Sequence, residues 1–288
     1  MDIFVNLTVA GLATGMMYYL LASGLSLVYG LMGVLNFAHG TVFMYGCYAG
    51  VFVFNHTGSF AAGLAAALSA GAAVGWIMEK VVISRVYGNH ISQILLTTGL
   101  MLVLNELIKI PFGSNILPAF QPEALQGSWV IGGSIVIVKY RVFLIVLGLI
   151  VAVTMNMVIA RTKLGMTVRA GVQNPDMVQA LGINIKRVFN LVFVIGSALA
   201  ALGGALMAPA LGAVNPEIGL MYQMTGFMVV VIGGMGSFIG TAFSAALVGL
   251  ASSYTAYLYP DASTAVIVIV MIIVLLVKPS GLFGKGVE

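Results

Sequence analysis

Residues able to do chemistry are scarce in this sequence and poorly spaced for catalysis. Only eight carboxylates occur in 288 positions, and none form the close pair that acid and base work requires. There is no His-Glu-x-x-His and no Gly-x-Ser-x-Gly elbow. The glycine-rich phosphate loop Gly-x-x-x-x-Gly-Lys-Ser/Thr is missing too. Its nearest relative, Gly281-Leu-Phe-Gly-Lys-Gly286, lacks both the spacing and the hydroxyl that Mg²⁺ needs. The chain is therefore expected not to be an enzyme and to bind no nucleotide. The one cysteine, Cys47, lies in an apolar run, where it reads as a packing residue and not as a metal ligand.

Three clusters remain. In the first, Gly33-Val-Leu-Asn-Phe-Ala-His-Gly40, the polar pair Asn36 and His39 interrupts an apolar region beside Phe37 and Gly40. Polar groups there need partners or water. They either hold a broken helix together through freed carbonyls or face a substrate, and we read them first as gate structure. The second is the glycine group Gly233, Gly234, Gly236 and Gly240. Glycine at membrane depth permits unwound backbone or close helix contact, so both groups are candidate path or gate elements, with helix packing as the alternative. Packing suffices for Gly63, Ala67, Gly71 and Gly75, which repeat every four residues on one helical face. The third is Asn174-Pro-Asp-Met-Val-Gln-Ala-Leu-Gly182. Here Asn174 can cap a helix, Pro175 fits its first position, Asp176 suits its positive end and Gly182 suits its exit. A short helix with Met177, Val178 and Leu181 along one side could dock on a soluble partner and transmit a push, or could simply connect two spans. Glu106 and Lys109, three positions apart, read as a local ion pair.

The elements that position these clusters are membrane helices. Hydrophobic residues make up 61% of the chain and charged ones 7%, with a mean hydropathy of +1.11, against about 25% charged in soluble domains. A span needs roughly 20 apolar residues. The pattern predicts an all-α polytopic bundle with spans at Phe4 to Tyr29, Thr41 to Phe54, Phe60 to Met78, Ile94 to Ile110, Val142 to Ala160, Val188 to Ala208, Leu220 to Ile232, Ile239 to Tyr257 and Thr264 to Val277. That is about nine, with eight or ten open. The short ones are expected to be broken or re-entrant at the glycine clusters. No polar stretch approaches domain size, so residues 1–288 are read as one membrane domain.

Lys and Arg are retained on the cytoplasmic face. An outside N-terminus puts Lys80, Arg85, Arg161, Lys163, Arg169, Lys186, Arg187, Lys278 and Lys285 inside and leaves Lys109, Lys139 and Arg141 outside. Residues 111–141 then form the main outer loop, with two short strands over Trp129 to Val138 around a Gly-Gly-Ser turn. Residues 161–187 form the main cytoplasmic loop, and the C-terminus is cytoplasmic. The absence of a basic n-region before the first apolar run predicts that this segment is retained.

Gly30-Leu-Met-Gly-Val-Leu-Asn-Phe-Ala-His-Gly40 resembles the signature of the LivH-type permeases of branched-chain amino acid ABC importers. Arg161-Thr-Lys-Leu-Gly-Met-Thr-Val-Arg-Ala170, Asn174 to Asp176 and Leu181-Gly-Ile-Asn184 resemble that family's coupling region. Gly233-Gly-Met-Gly-Ser237 with Gly240 resembles its late glycine motif, and Asn215-Pro216 and Lys278-Pro-Ser-Gly-Leu-Phe283 also fit. The resemblance implies a bacterial inner-membrane subunit that pairs with a second, LivM-like permease or a second copy. Two ATP-binding subunits would supply the ATP and Mg²⁺ chemistry, and a periplasmic substrate-binding protein would deliver the solute. It places Asn174, Pro175, Asp176, Met177, Leu181 and Gly182 on the coupling element. Asn36, Phe37, His39, Gly40, Gly233, Gly234 and Gly236 fall on motifs that line or shape the path. Thr41 stands where many such relatives carry an acidic residue. Branched-chain or other hydrophobic amino acids are the expected cargo, with urea, amides and small aromatic acids open. An ion-coupled secondary transporter is the rival reading of another class.

Overall fold

The computed structural model describes residues 2–131, 135–173, 175–263 and 265–284, without the side chains of 131, 164, 172, 173, 175 and 176. The chain is a bundle of long apolar helices: α1 (Asp2–Met32), α2 (His39–Thr57), α3 (Phe60–Val81) and α4 (His90–Leu107) precede a short α5 (Lys109–Phe112). Then come α6 (Lys139–Arg161), α7 (Lys163–Gln173), α8 (Pro175–Ala180), α9 (Ile185–Leu211), α10 (Ile218–Gly233), α11 (Phe238–Leu258) and α12 (Ala265–Val277). Among the described residues six helical segments are long and apolar enough to cross a membrane, and α10 and α12 are shorter apolar helices. The nine expected apolar runs fall on helices apart from a turn at Ile108, with Thr264 outside the described residues, and the protein is a polytopic helical membrane protein.

Helix ends follow the sequence chemistry. Ser59, Asn89, Asn184 and Ser237 each accept a hydrogen bond from a backbone N–H in the first turn of α3, α4, α9 and α11, which satisfies a donor the helix leaves free. Gly58 and Gly212 close α2 and α9 in the left-handed conformation.

The centre of the bundle is α9. Of its most apolar stretch 78% is buried, against 17–33% for the other five long segments, whose apolar outer faces are left for lipid. It packs on α1, α2 and α3, while α11 packs on α1. Small residues allow this. A Cβ on Gly46 would lie 2.0 Å from the Ala201 carbonyl oxygen, and one on Gly249 would lie 2.3 Å from that of Gly11. The four-residue stripe Gly63, Ala67, Gly71 and Gly75 is the buried face of α3. Gly71 and Gly75 lie against Ala201 and Ser197 of α9.

Two small sheets cap the end of the bundle where α9 finishes. β1 (Leu117–Pro118) pairs antiparallel with β4 (Ala213–Val214), and β2 (Ser128–Ile131) with β3 (Ile135–Val138). The turn of the expected hairpin falls outside the described residues. The loop expected over 111–141 is trimmed by α5 and by the start of α6 at Lys139. The loop expected over 161–187 is largely helical, because Lys163–Gln173 forms an additional helix, α7.

Candidate gate and coupling site

The chain leaves α1 at Gly33, whose φ of +61° no β-carbon favours. Residues 33–38 then run without helix back into the bundle. His39 Nε2 lies 3.1 Å from the Leu21 carbonyl oxygen of α1. That oxygen can only accept, so Nε2 carries the proton. Leu21 precedes the end of α1 by about 16 Å at the standard helical rise, so α2 begins deep inside the bundle. The expected re-entrant break is therefore real backbone geometry.

Lipid offers no partners to non-helical backbone at this depth, and side chains from other helices supply them. Asn36 Oδ1 accepts from the Ala38 N–H at 3.0 Å, forming a local turn. Thr97 Oγ1 of α4 accepts from the Phe37 N–H at 3.2 Å. Gln223 of α10 accepts the Gly40 N–H through Oε1, and its Nε2 donates to the Asn36 carbonyl at 3.4 Å. Asn36, His39, Thr97 and Gln223 are all at most 2% exposed. The Phe37 ring sits 4.8 Å from that of Phe227 on α10. The glycines set the approach: a Cβ on Gly40 would lie 2.2 Å from the Gly219 carbonyl oxygen, and one on Gly24 would lie 2.9 Å from His39 Nε2.

The later glycine cluster is not brought to this network. Gly233, Gly234 and Gly236 form the turn from α10 to α11, with φ of +94° at Gly234 and +86° at Gly236. Gly233 backs on Gly240, Gly234 on Gly281 and Gly284, and Gly236 on Gly30. The closing segment is pinned there, since the Leu282 and Phe283 N–H groups donate to the Ile232 and Gly233 carbonyls at 2.9 and 3.0 Å. Gly30, which precedes the first cluster, packs on Gly236 of the second. That pair borders an open cleft of about 760 Å³ lined also by Tyr29, Arg169, Ser237 and Phe283.

Of the residues expected on a coupling element, Asn174 lies outside the described residues. Pro175 opens α8 and Asp176 falls in its first turn. Gly182, at φ +80°, ends it: the Gly182 N–H donates to the Gln179 carbonyl at 2.9 Å and the Ile183 N–H to the Val178 carbonyl at 3.3 Å, the double closure typical of a glycine exit. Met177 is 59% and Leu181 73% exposed, but Val178 is only 3% exposed. The expected three-residue docking side is therefore corrected to Met177 and Leu181, with Val178 turned into the bundle. On α7 the Arg169 guanidinium donates to the Ile159 carbonyl at 2.5 Å, tying α7 to the end of α6.

A family described as "Branched-chain amino acid transport system / permease component" matches residues 7–275. The chain belongs to this permease family. Its members are transport subunits of ATP-driven importers and not enzymes, and they work with partner subunits in the membrane. The chain is 31% identical to the high-affinity branched-chain amino acid transport system permease protein LivH of Escherichia coli K12, across 96% of this chain and 94% of that protein. It is 30% identical to BraD, the corresponding permease protein of Pseudomonas aeruginosa, with the same coverage. It is also 28% identical to LivM of Salmonella typhimurium across 81% of this chain and 60% of that one.

Two residues of the permease network, Thr97 and Gln223, were not singled out in the sequence. The available signal was a polar side chain within an apolar run, which membrane burial makes costly unless it is partnered. Their partners are 60 and 183 positions away, so the pairing itself had no local trace.

Proposed function

We propose that this permease passes branched-chain or other hydrophobic amino acids inward by alternating access driven by partner ATPases. The observation that carries the reading is the re-entrant segment 33–38. It is non-helical backbone at mid-bundle: Thr97 of α4 accepts the Phe37 N–H and Gln223 of α10 donates to the Asn36 carbonyl, while at the start of α2 His39 donates to the Leu21 carbonyl of α1 and Gly40 donates to Gln223. Such a segment can change partners without melting a helix. Asn36, Phe37, His39 and Gly40 act as the gate, and Gln223 and Thr97 hold it shut. Gly233, Gly234 and Gly236 shape the mouth of the path. The amino-acid cargo is taken from what the relatives LivH and BraD are named for.

In this reading the N-terminus faces outside, residues 111–141 face the delivering binding protein, and residues 161–187 face the ATPases. The chain itself holds no nucleotide; ATP and Mg²⁺ act in two partner ATPase subunits. Similarity to both LivH and LivM supports pairing with a second, LivM-like permease. Asn174, Pro175, Asp176, Met177, Leu181 and Gly182 form the docked element.

The test is uptake by the chain reconstituted in liposomes with the second permease, both ATPases and the binding protein. Labelled leucine is expected to accumulate only with ATP inside and binding protein outside. Uptake by the chain alone under an ion gradient, or retention of urea but no amino acid by the binding protein, would overturn it.

A further inference from the structure

Glu79, near the end of α3, is the one buried carboxylate among the described residues, at 4% exposure. Its Oε1 accepts the Tyr87 hydroxyl at 2.6 Å and its Oε2 accepts the Asn190 side-chain amide. Burial first, and then Glu79 itself, push the Tyr87 phenol above its ordinary value, so it stays a neutral donor. The Tyr87 ring also stands edge-on to Phe189 at 5.6 Å. Three segments therefore converge on one side chain: α3, the loop before α4, and the early turns of α9.

Both ends of this junction lead to the elements described above. At one end, α9 starts at Ile185, whose side chain backs on Gly171 of α7, and α8 packs on α9 beside it. At the other, the Tyr87 loop continues into α4. The Val86 carbonyl accepts from Gln93 Nε2 at 3.1 Å, the Gln93 carbonyl accepts the Thr97 hydroxyl at 2.7 Å, and Thr97 holds the Phe37 N–H. Hydrogen-bonded and packed contacts thus run from α7 and α8 to the re-entrant segment through Glu79.

Stability alone gives no reason for a carboxylate here. A buried charge is costly to desolvate, and a well-packed apolar residue of similar volume is often as stable or more so. We propose that Glu79 is a positioning residue that couples movement of α7 and α8 to the gate at 33–38. The inference rests on the reading that an ATPase pushes α8, and on the general point that coupling needs a physical network biased at both ends.

The experiment measures uptake per ATP hydrolysed by the reconstituted importer. Glu79→Leu, which keeps the volume, is expected to assemble and hydrolyse ATP while this ratio falls about fivefold or more. Tyr87→Phe, which keeps the ring and removes one arm, is expected to lower it in the same direction. Glu79→Gln, which can still serve both partners once the Asn190 amide turns over, is expected to restore most of it. Adding Thr97→Val to Glu79→Leu is expected to lower it no further, because both act on one route. An unchanged ratio in Glu79→Leu, or in Tyr87→Phe should the first variant fail to assemble, overturns the proposal while leaving the importer reading intact. An equal loss in Glu79→Gln also overturns it. A native chain without ATP-dependent uptake removes the underlying reading and the proposal with it.

Discussion

Gln223 accepts a hydrogen bond from the backbone N–H of Gly40 across 183 positions of sequence. This single side chain joins the first turn of α2 to α10, and through its other end it holds the Asn36 carbonyl. The non-helical stretch between α1 and α2 is thereby given the partners that lipid cannot supply.

Gln223→Leu keeps the volume but leaves the Gly40 N–H and the Asn36 carbonyl without this partner. A buried orphaned polar group costs about 1–3 kcal/mol, so thermal unfolding in detergent should shift clearly downward and ATP-driven uptake should fall. Melting and uptake equal to the native chain would show that the pair does not hold the segment.

The glycine contacts predict opposite outcomes at two positions. Gly46→Ala puts a methyl 2.0 Å from the Ala201 carbonyl oxygen, and overpacking of this kind costs about 1–3 kcal/mol. Gly99 on α4 has nothing within 4 Å, so Gly99→Ala should be neutral or stabilising by up to about 1 kcal/mol through helix propensity. Melting temperatures of the two variants compared with the native chain check the sign of each.

Cys47 is fully buried between α2 and α9, against Gly204. A maleimide added to the folded protein in detergent should label it at least about a hundredfold more slowly than after denaturation, since reaction needs an opening of the core. Rapid labelling of the folded chain would contradict the α2 and α9 packing.

Leu181 is 73% exposed beside the glycine exit of α8. Leu181→Asp should leave membrane insertion and melting within about 0.5 kcal/mol of native, as surface substitutions do. It should reduce co-purification of the ATPase subunits severalfold. Normal co-purification would move the docking surface elsewhere.

The helices were legible because the bilayer enforces them: each apolar run long enough to need internal hydrogen bonds became a helix. The break at Gly33 and the exit at Gly182 were legible because each needs a positive φ, at +61° and +80°. Less was legible wherever a residue's role depends on a distant partner. Glu79 sits beside Lys80, which alone was read, as a topology signal, while the carboxylate's partners Tyr87 and Asn190 come from a loop and another helix. Val178 was misassigned because a helix as short as Pro175–Ala180 is oriented by what it packs on, and its own pattern does not decide its face. Helix α7 was passed over because Lys163, Thr167, Arg169 and Gln173 keep its eleven residues from reading as an apolar run.

The most direct measurement is labelled leucine uptake by liposomes holding this chain, its second permease and both ATPases, with binding protein outside and ATP inside. The account predicts accumulation that stops when ATP is withheld and is lost in Leu181→Asp. Accumulation by the chain alone, driven by an ion gradient and indifferent to ATP, would contradict it.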